Sequence, residues 1–334
     1  LDDLFTAPTV ARLAERLTAV DAPAHRPPLV AVARPDVVPL SPAQQRLWFL
    51  NRLDPGSAVY NMPLALDLTG QLNLSALRQA LTDVVRRHES LRTVFPDGPT
   101  GPHQVIEEPG TPDLDPIDIA ESDLDRAVAD VVGHGFDVRR DHPIRVRLFR
   151  LGSDRHVLVV VLHHIAADGW SFGPLAADVA LAYAARAAGE APAFAPLPVQ
   201  YADAVLWQRA VLGDPADPGS VLAAQTAFWT DRLAVLPEVL DLPTDRPRQA
   251  VPAVAGAVHA FELDADLRAA ITALATAHSA STFMVVHAAL TALLGRLADT
   301  DDVAVGTPVA GRGDRALDGV VGAAPRREAE HEVP

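Results

Sequence analysis

The chain has 334 residues, of which 49% are hydrophobic, and its formal net charge is −15. This length and apolar content suit about two globular domains with a substantial core. The negative charge argues against a nucleic-acid backbone or an anionic membrane surface as the main partner, because both attract clustered positive charge. Cysteine is absent, which excludes disulfides, thiolate nucleophiles and cysteine metal sites.

Lysine is also absent, so all 28 basic residues are arginine. This excludes a lysine Schiff base, a lysine general base and the lysine of a P-loop. No apolar run approaches the roughly 18 residues of a membrane span, and no basic segment with an apolar core opens the sequence. We therefore expect a cytoplasmic protein whose chemistry depends on histidine, carboxylate and hydroxyl groups.

The first residues predict a helix followed by a linker. Apolar side chains recur at helical spacing over residues 8–17, and Pro8 suits the first turn of a helix. Residues 21–38 contain repeated prolines without periodicity, which is typical of a semi-extended linker. A folded domain is expected to begin at residue 39.

Residues 39–218 mix helical and strand patterns and form the predicted first lobe. Ser75 is predicted to cap the second of its helices. The segment LGDPADPGS at 212–220 predicts the end of this lobe, because it concentrates proline, glycine and aspartate. The periodicity predicts helices at 41–53, 74–91 and 174–188, and strands at 60–68, at 144–151 and up to His164.

A second lobe is predicted over residues 219–322. Its pattern predicts strands at 256–263 and 302–309. Between them, residues 267–298 predict two helices with a break around 279–281. From residue 323 onward the periodicity is lost, so the tail at 323–334 is expected to be disordered.

The segment VLVVVLHHIAADGWS at 157–171 carries the most chemical information. Its six consecutive aliphatic residues predict a strand buried on both faces, which ends at His163 and His164. Successive strand residues point to opposite faces, so the two histidines should meet different surroundings. A structural histidine pair and a base or positioning histidine both remain open. Metal binding is less favoured, because neighbouring strand residues cannot easily converge on one ion.

HHIAADG at 163–169 resembles the HHxxxDG motif of condensation domains in nonribosomal peptide synthetases. Other segments resemble further motifs of that family in the same order, and the forms look closest to the subtype that joins an L-donor to an L-acceptor. The resemblance implies an α/β (α+β) fold like that of chloramphenicol acetyltransferase, with two lobes and a tunnel between them. These segments are SPAQQRLWFL at 41–50, RHESLRTVF at 87–95, YADAVLWQ at 201–208, and residues 242–248 and 306–312.

The resemblance also implies the reaction and its partners. Peptidyl carrier domains, upstream for the donor and downstream for the acceptor, would present thioesters on phosphopantetheine arms, and the acceptor amine would attack the donor carbonyl. Residues 1–20 resemble the last helix of such a carrier domain. No cofactor bound covalently to this chain and no metal are therefore expected, and an adenylation domain is a further expected partner.

The roles of the histidines and the glycine follow from the resemblance. His164 matches the family position tied most directly to catalysis, where it would accept a proton or orient the attacking amine. His163 would support the end of the strand. Gly169 would let the backbone approach the substrate, and its N–H would stabilise charge on the carbonyl oxygen.

The remaining motif residues have supporting roles in this interpretation. Asp168 would form a structural ion pair, for which Arg87 is the candidate partner. Trp170 and Ser171 would line the substrate tunnel.

The resemblance weakens near the end of the sequence. Family members continue beyond the position of Gly322 with a segment similar to GFFVNT, so we expect a truncated second lobe and an aberrant tail at 323–334. Two alternatives stay open: an inactive module that only binds carrier domains, and a free-standing acyltransferase that uses coenzyme A. The carrier-like residues 1–17 argue against the second alternative.

Overall fold

A computed structural model describes Thr9 and residues 27–99, 101–236, 239–247, 259–307 and 313–323. Two compact units divide these residues. The large unit contains residues 27–222 and 313–323, and the small unit contains the described residues between 223 and 307. Apart from Thr9, the predicted carrier helix lies outside the described residues, and so do residues 324–334 of the predicted tail. Ala323, the first residue of that tail, is buried in the large unit, so the prediction of disorder is wrong at this position. Residues 313–322 were predicted to end the second lobe, and in the structure they group with the large unit. The predicted bounds of the two lobes, 39–218 and 219–322, stay a prediction.

The large unit contains two sheets. Their strands are β1 (Val38–Pro39), β2 (Asn61–Thr69), β3 (Thr93–Val94), β4 (His103–Ile106), β5 (Ile117–Asp118), β6 (Ile144–Arg150) and β7 (Arg155–His163). The larger sheet has four strands in the order β2-β7-β6-β5, with β2 and β6 antiparallel to the central β7 and β5 parallel to β6. The smaller sheet has the order β1-β4-β3 and is antiparallel.

Helices cover both faces of the larger sheet. Short 3-10 turns adjoin two of these helices: Glu89–Arg92 follows the helix that ends at Arg87, and Gly169–Ser171 precedes the helix that begins at Phe172. The helices are α1 (Pro42–Leu53), α2 (Leu74–Arg87), α3 (Leu124–Gly133), α4 (Phe172–Ala187) and α5 (Tyr201–Leu212) in the large unit, and α6 (Val221–Arg232), α7 (Ala265–Ala277) and α8 (Thr282–Ala298) at its end and in the small unit.

Strand β7 is buried on both faces, as the run of aliphatic residues predicted. Leu158, Val160 and Leu162 pack with α2 and α4 in one hydrophobic cluster. The alternate residues of β7 pack in a second cluster with α1 and with Phe136. The period of two along a strand therefore places His163 on the Phe136 side.

Several predicted elements are confirmed with small shifts. Helix α1 begins after Ser41, which forms a reciprocal capping box with Gln44. The predicted cap of α2 is wrong: Asn73 caps it, because the helix begins at Leu74 and the Asn73 carboxamide oxygen accepts from the Ala76 N–H. That helix also ends earlier than predicted, at Arg87, where His88 adopts an extended backbone.

The two predicted helices of the small unit are confirmed, but its two predicted strands are wrong over the residues described. Ser281 caps α8 after the break that follows α7. Residues 259–263 and 302–307 are irregular. A strand needs a hydrogen-bonded neighbour, and in the described part of the chain neither segment pairs with another strand.

Within the described ranges, no single helix combines the length and apolar character of a membrane span. Helices α7 and α8 meet that test only as a pair, with a bend of 103° between them.

The buried position of β6 gives a stability prediction. Leu148 is fully buried, whereas Leu66 on β2 is 39% exposed. Leu148→Ala should lower the free energy of unfolding by about 2 to 5 kcal/mol, because it leaves a cavity in the core. Urea denaturation would measure this, with Leu66→Ala as the control, for which a clearly smaller loss is expected. Equal losses in the two variants would contradict the packing described for β6.

Candidate active site

The two histidines lie where β7 ends and the chain turns. The His163 N–H donates to the Pro143 carbonyl (3.0 Å), and the His164 N–H donates to the Tyr60 carbonyl (2.9 Å). The Ala166 N–H then donates to the His163 carbonyl (3.0 Å), which closes a tight turn. Backbone hydrogen bonds to the residues that precede β6 and β2 therefore fix the backbone positions of the two histidines.

His163 is a buried, neutral histidine, with 1% of its surface exposed. Its Nδ1 accepts a hydrogen bond from the Ile165 N–H (3.1 Å), so the ring proton is on Nε2. The Phe136 ring meets the imidazole edge-on, with 5.9 Å between the ring centres. Burial, together with a smaller effect of the neighbouring His164, lowers the pKa of His163 to about 4.

His164 has the opposite arrangement. It is partly exposed, and its Nδ1 lies 2.7 Å from the Ala167 carbonyl oxygen. A carbonyl oxygen can only accept, so Nδ1 carries a proton, and in the neutral ring Nε2 carries the lone pair. None of the described residues forms a hydrogen bond with Nε2. The ring therefore presents a basic nitrogen that is available to a substrate.

Asp168 holds the turn that follows. It is buried, and its Oδ1 accepts from the Ser171 N–H (2.9 Å) and from the Ser171 hydroxyl (2.8 Å). These bonds make Asp168 the cap of the short 3-10 turn Gly169–Ser171.

The predicted ion pair between Arg87 and Asp168 is wrong. The Arg87 Nε donates to Asp178 Oδ2 (2.8 Å), and its guanidinium also donates to the Ala195 carbonyl (2.7 Å). The reason is position: Arg87 ends α2, which packs against α4, and α4 carries Asp178.

His88 shares the same carboxylate. Its Nε2 lies 2.8 Å from Asp178 Oδ2, the oxygen that Arg87 also contacts. Burial alone would raise the pKa of Asp178, but the hydrogen bonds from His88 and Arg87 outweigh it and lower that pKa below its ordinary value. The ionised carboxylate thus ties the end of α2 to α4.

The last three motif residues differ in exposure. Gly169 is exposed, and a Cβ at that position would meet no other atom within 4 Å, so there is open room beside its backbone. The Trp170 side chain is 63% exposed. Ser171 is completely buried, so the expectation that it lines the substrate tunnel is wrong: its hydroxyl is occupied by the turn.

The sequence prediction missed one contributor to the turn. The Gln44 side chain is buried and donates from Nε2 to the Ile165 carbonyl (3.4 Å), while its Oε1 accepts from the Ser41 N–H. The Ser-x-x-Gln spacing at the start of α1 was the available signal for the capping bond. The contact with Ile165, which is 121 positions away in sequence, has no local signal.

A family model for the condensation domain matches residues 34–323. The chain belongs to the condensation domain family. It is 50% identical over 322 residues to the probable non-canonical nonribosomal peptide synthetase CymA of Salinispora arenicola, covering 96% of this chain and 4% of that protein. It is 49% identical over 329 residues to the isonitrile lipopeptide synthase of Mycobacterium tuberculosis, covering 96% of this chain and 13% of that protein. The chain thus spans a small part of the length of these relatives.

Solved structures agree with this assignment. The X-domain in its complex with OxyB from teicoplanin biosynthesis has a TM-score of 0.84 and 37% identity, covering 90% of this chain and 66% of that chain. The four-domain nonribosomal peptide synthetase holo-AB3403 has a TM-score of 0.75 and 26% identity, covering 88% and 22%. The mixed α/β fold is therefore that of condensation domains, which resembles chloramphenicol acetyltransferase, as predicted.

Condensation domains are the acyltransferase-type, peptide-bond-forming domains of nonribosomal peptide synthetases. They work with adenylation domains and with carrier domains that bear phosphopantetheine. The HHIAADG segment and the other motifs were interpreted as those of a nonribosomal peptide synthetase condensation domain, and this interpretation is confirmed.

The buried His163 gives a prediction about pH. The unfolded chain binds a proton at this side chain below about pH 6.5, whereas the folded chain does so only near pH 4. The free energy of unfolding should therefore fall by up to about 3 kcal/mol through this residue as the pH drops from 6.5 to 4, and this contribution is fully present above that window. Urea denaturation at several pH values would measure it.

His163→Asn is the informative variant, because the amide oxygen can still accept from the Ile165 N–H but does not titrate. It should remove this part of the pH dependence. His134→Gln, at an exposed position, is the control and should retain the wild-type slope. If His163→Asn also retained that slope, His163 would not be the residue responsible.

Proposed function

We propose that this condensation domain forms an amide bond between two carrier-bound substrates. The α-amine of an acceptor aminoacyl group attacks the thioester carbonyl of a donor aminoacyl or peptidyl group. A C–N bond forms and the C–S bond breaks, and the proton lost by the amine ends on the released thiol. The observation that supports this proposal is the partly exposed His164, with Nδ1 held by Ala167 and the Nε2 lone pair available.

In this proposal His164 is the catalytic residue. Its Nε2 accepts a hydrogen bond from the attacking amine and orients the nitrogen lone pair toward the carbonyl. An α-amino group has a pKa of roughly 8, so a useful neutral fraction exists without a strong base. Alignment of two tethered reactants can supply a large part of the acceleration, because effective molarities in such systems are high.

The other motif residues act around this contact. Neutral His163 fills the space behind the strand end, against Phe136. Asp168 keeps the turn in shape through its bonds to Ser171. Gly169 lies beside open room, where its backbone approaches the thioester and its N–H stabilises negative charge on the carbonyl oxygen. Exposed Trp170 contacts the substrate arm.

The substrates arrive on phosphopantetheine arms, with the donor on an upstream carrier domain and the acceptor on a downstream one. In this proposal residues 1–20 are the last part of a carrier domain. The reaction takes place in the cytoplasm, and adenylation domains load the carriers there. Both substrates have the L configuration. The support is the similarity to nonribosomal peptide synthetases. For the L configuration, the support is the form of the SPAQQRLWFL and HHIAADGWS segments.

A second candidate function is a docking platform for a separate protein. The similarity to the X-domain supports it, because the solved structure shows that domain in a complex with OxyB. A platform of this kind would bind its partner without forming an amide. The available Nε2 of His164 favours the catalytic proposal over this one.

A direct assay separates these two candidates. A donor carrier loaded with N-acetyl-L-alanine and acceptor carriers loaded with single L-amino acids would be mixed with this chain, and amide formation followed by mass spectrometry. Because the acetyl group blocks the donor amine, any product reports attack in one direction. We expect dipeptide formation with at least one acceptor. Absence of product with every acceptor would contradict the catalytic proposal.

His164→Ala should lower kcat for this reaction by about 100-fold or more, since it removes the group that orients and accepts from the amine. The control is His134→Ala, which removes an exposed histidine elsewhere in the large unit and should leave kcat unchanged. Wild-type activity in the His164→Ala variant would exclude a catalytic role for this residue.

A further inference from the structure

A short segment that follows the small unit in sequence packs into the large unit. Residues 320–323, here called the strap, include Val320, Val321 and Ala323, which are all buried. Val321 belongs to the hydrophobic cluster that α2, α4 and β7 form. The Ser90 hydroxyl donates to the Val321 carbonyl (2.7 Å). The strap is therefore a built-in part of the large unit's core.

Gly322 lies at the closest approach of the strap to the rest of the unit. A Cβ at this position would overlap the ring of Tyr201, so only glycine fits here without a shift. The Tyr201 hydroxyl lies 3.3 Å from Ser41 Oγ, at the cap of α1. The Tyr201 ring therefore restricts this position of the strap to glycine.

Ser171 joins the strap to that turn. Its hydroxyl oxygen accepts from the Gly322 N–H (3.2 Å) and from the Asp168 N–H (3.1 Å). Among the acceptors that its proton can reach are Asp168 Oδ1 at 2.8 Å and the Gly322 carbonyl at 3.2 Å. The carboxylate is nearer and charged, so it is the stronger acceptor. One buried hydroxyl therefore connects Gly322 with both the backbone N–H and the carboxylate of Asp168.

The bridge continues to the imidazole. Asp168 is bonded to Ala167 in the chain, and the Ala167 carbonyl accepts the Nδ1 proton of His164 (2.7 Å). The direction of that carbonyl depends on the peptide plane between Ala167 and Asp168. Ser171 accepts from the N–H of this same plane. The Ser171 hydroxyl and the His164 ring are therefore bonded to opposite sides of one rigid peptide group.

We propose that Ser171 is a positioning residue for His164, which holds the Ala167–Asp168 peptide plane against the strap and so fixes the tautomer and orientation of the imidazole. This inference rests on the amide-forming function proposed above. Without the hydroxyl, the Asp168 N–H and the Gly322 N–H each lose their hydrogen bond to the Ser171 oxygen, which weakens the hold on the peptide plane that orients His164. The ring then loses its preference for a proton on Nδ1.

A matched pair of variants tests this role. Ser171→Ala and Ser90→Ala each remove one buried hydroxyl that binds the strap, but only Ser171 also binds Asp168. The ¹⁵N NMR signals of the histidine rings report which ring nitrogen of His164 is protonated, and they need no substrate. The kinetics of the loaded-carrier reaction give kcat and KM separately. Thermal unfolding of both variants identifies a temperature at which both are folded, and the NMR and kinetic measurements are made there.

We expect Ser171→Ala to shift the His164 proton from Nδ1 toward Nε2 and to lower kcat by about ten-fold or more with KM unchanged, because small losses of alignment are costly in tethered reactions. Ser90→Ala should retain the wild-type ring signals and kcat, even if it unfolds at a lower temperature.

Two results would overturn the inference: unchanged His164 signals in Ser171→Ala, or equal changes in both serine variants, which would assign the effect to loss of the strap in general. If the wild-type chain formed no amide, the proposed function would fail, and the ring signals would still decide whether Ser171 positions His164.

Discussion

The hydrogen bond from the His164 Nδ1 to the Ala167 carbonyl is the contact on which the proposed chemistry depends. It fixes the proton on one ring nitrogen and leaves the other as an acceptor. It forms only if the chain reverses within three residues of the end of β7. That reversal requires a strand that cannot shift, and β7 meets this need because its apolar side chains are buried on both faces and paired with two neighbours.

The same strand explains why two adjacent histidines have different proton behaviour. Alternation along β7 turns His163 into the cluster with Phe136, where burial disfavours the charged ring and lowers its pKa. His164 emerges at the start of the turn and keeps partial contact with solvent. His163 is therefore a neutral packing group, whereas His164 is able to contact a substrate, although the two residues are adjacent in sequence.

Local pattern predicted the parts of the site that depend on neighbouring residues in sequence. The aliphatic run predicted β7 and the division of the histidines between two faces, and the motif predicted the family. The local sequence pattern could not predict that Arg87 binds Asp178, because this pairing depends on how α2 packs against α4. The irregular segments 259–263 and 302–307 show the same limit: alternating apolar residues favour a strand, but the strand forms only when a partner edge is available.

Ser171 shows how a residue beside an active site can act without touching the substrate. A serine next to an exposed tryptophan and an exposed glycine is easily interpreted as part of the substrate path, because polar groups near a site often bind ligands. Complete burial changes that interpretation. Its hydroxyl forms hydrogen bonds with Asp168 and with Gly322, which lie more than 150 residues apart in sequence, so this one group links the strap to the turn. The geometry of His164 is then a property of the large unit's core and not of the seven-residue motif alone.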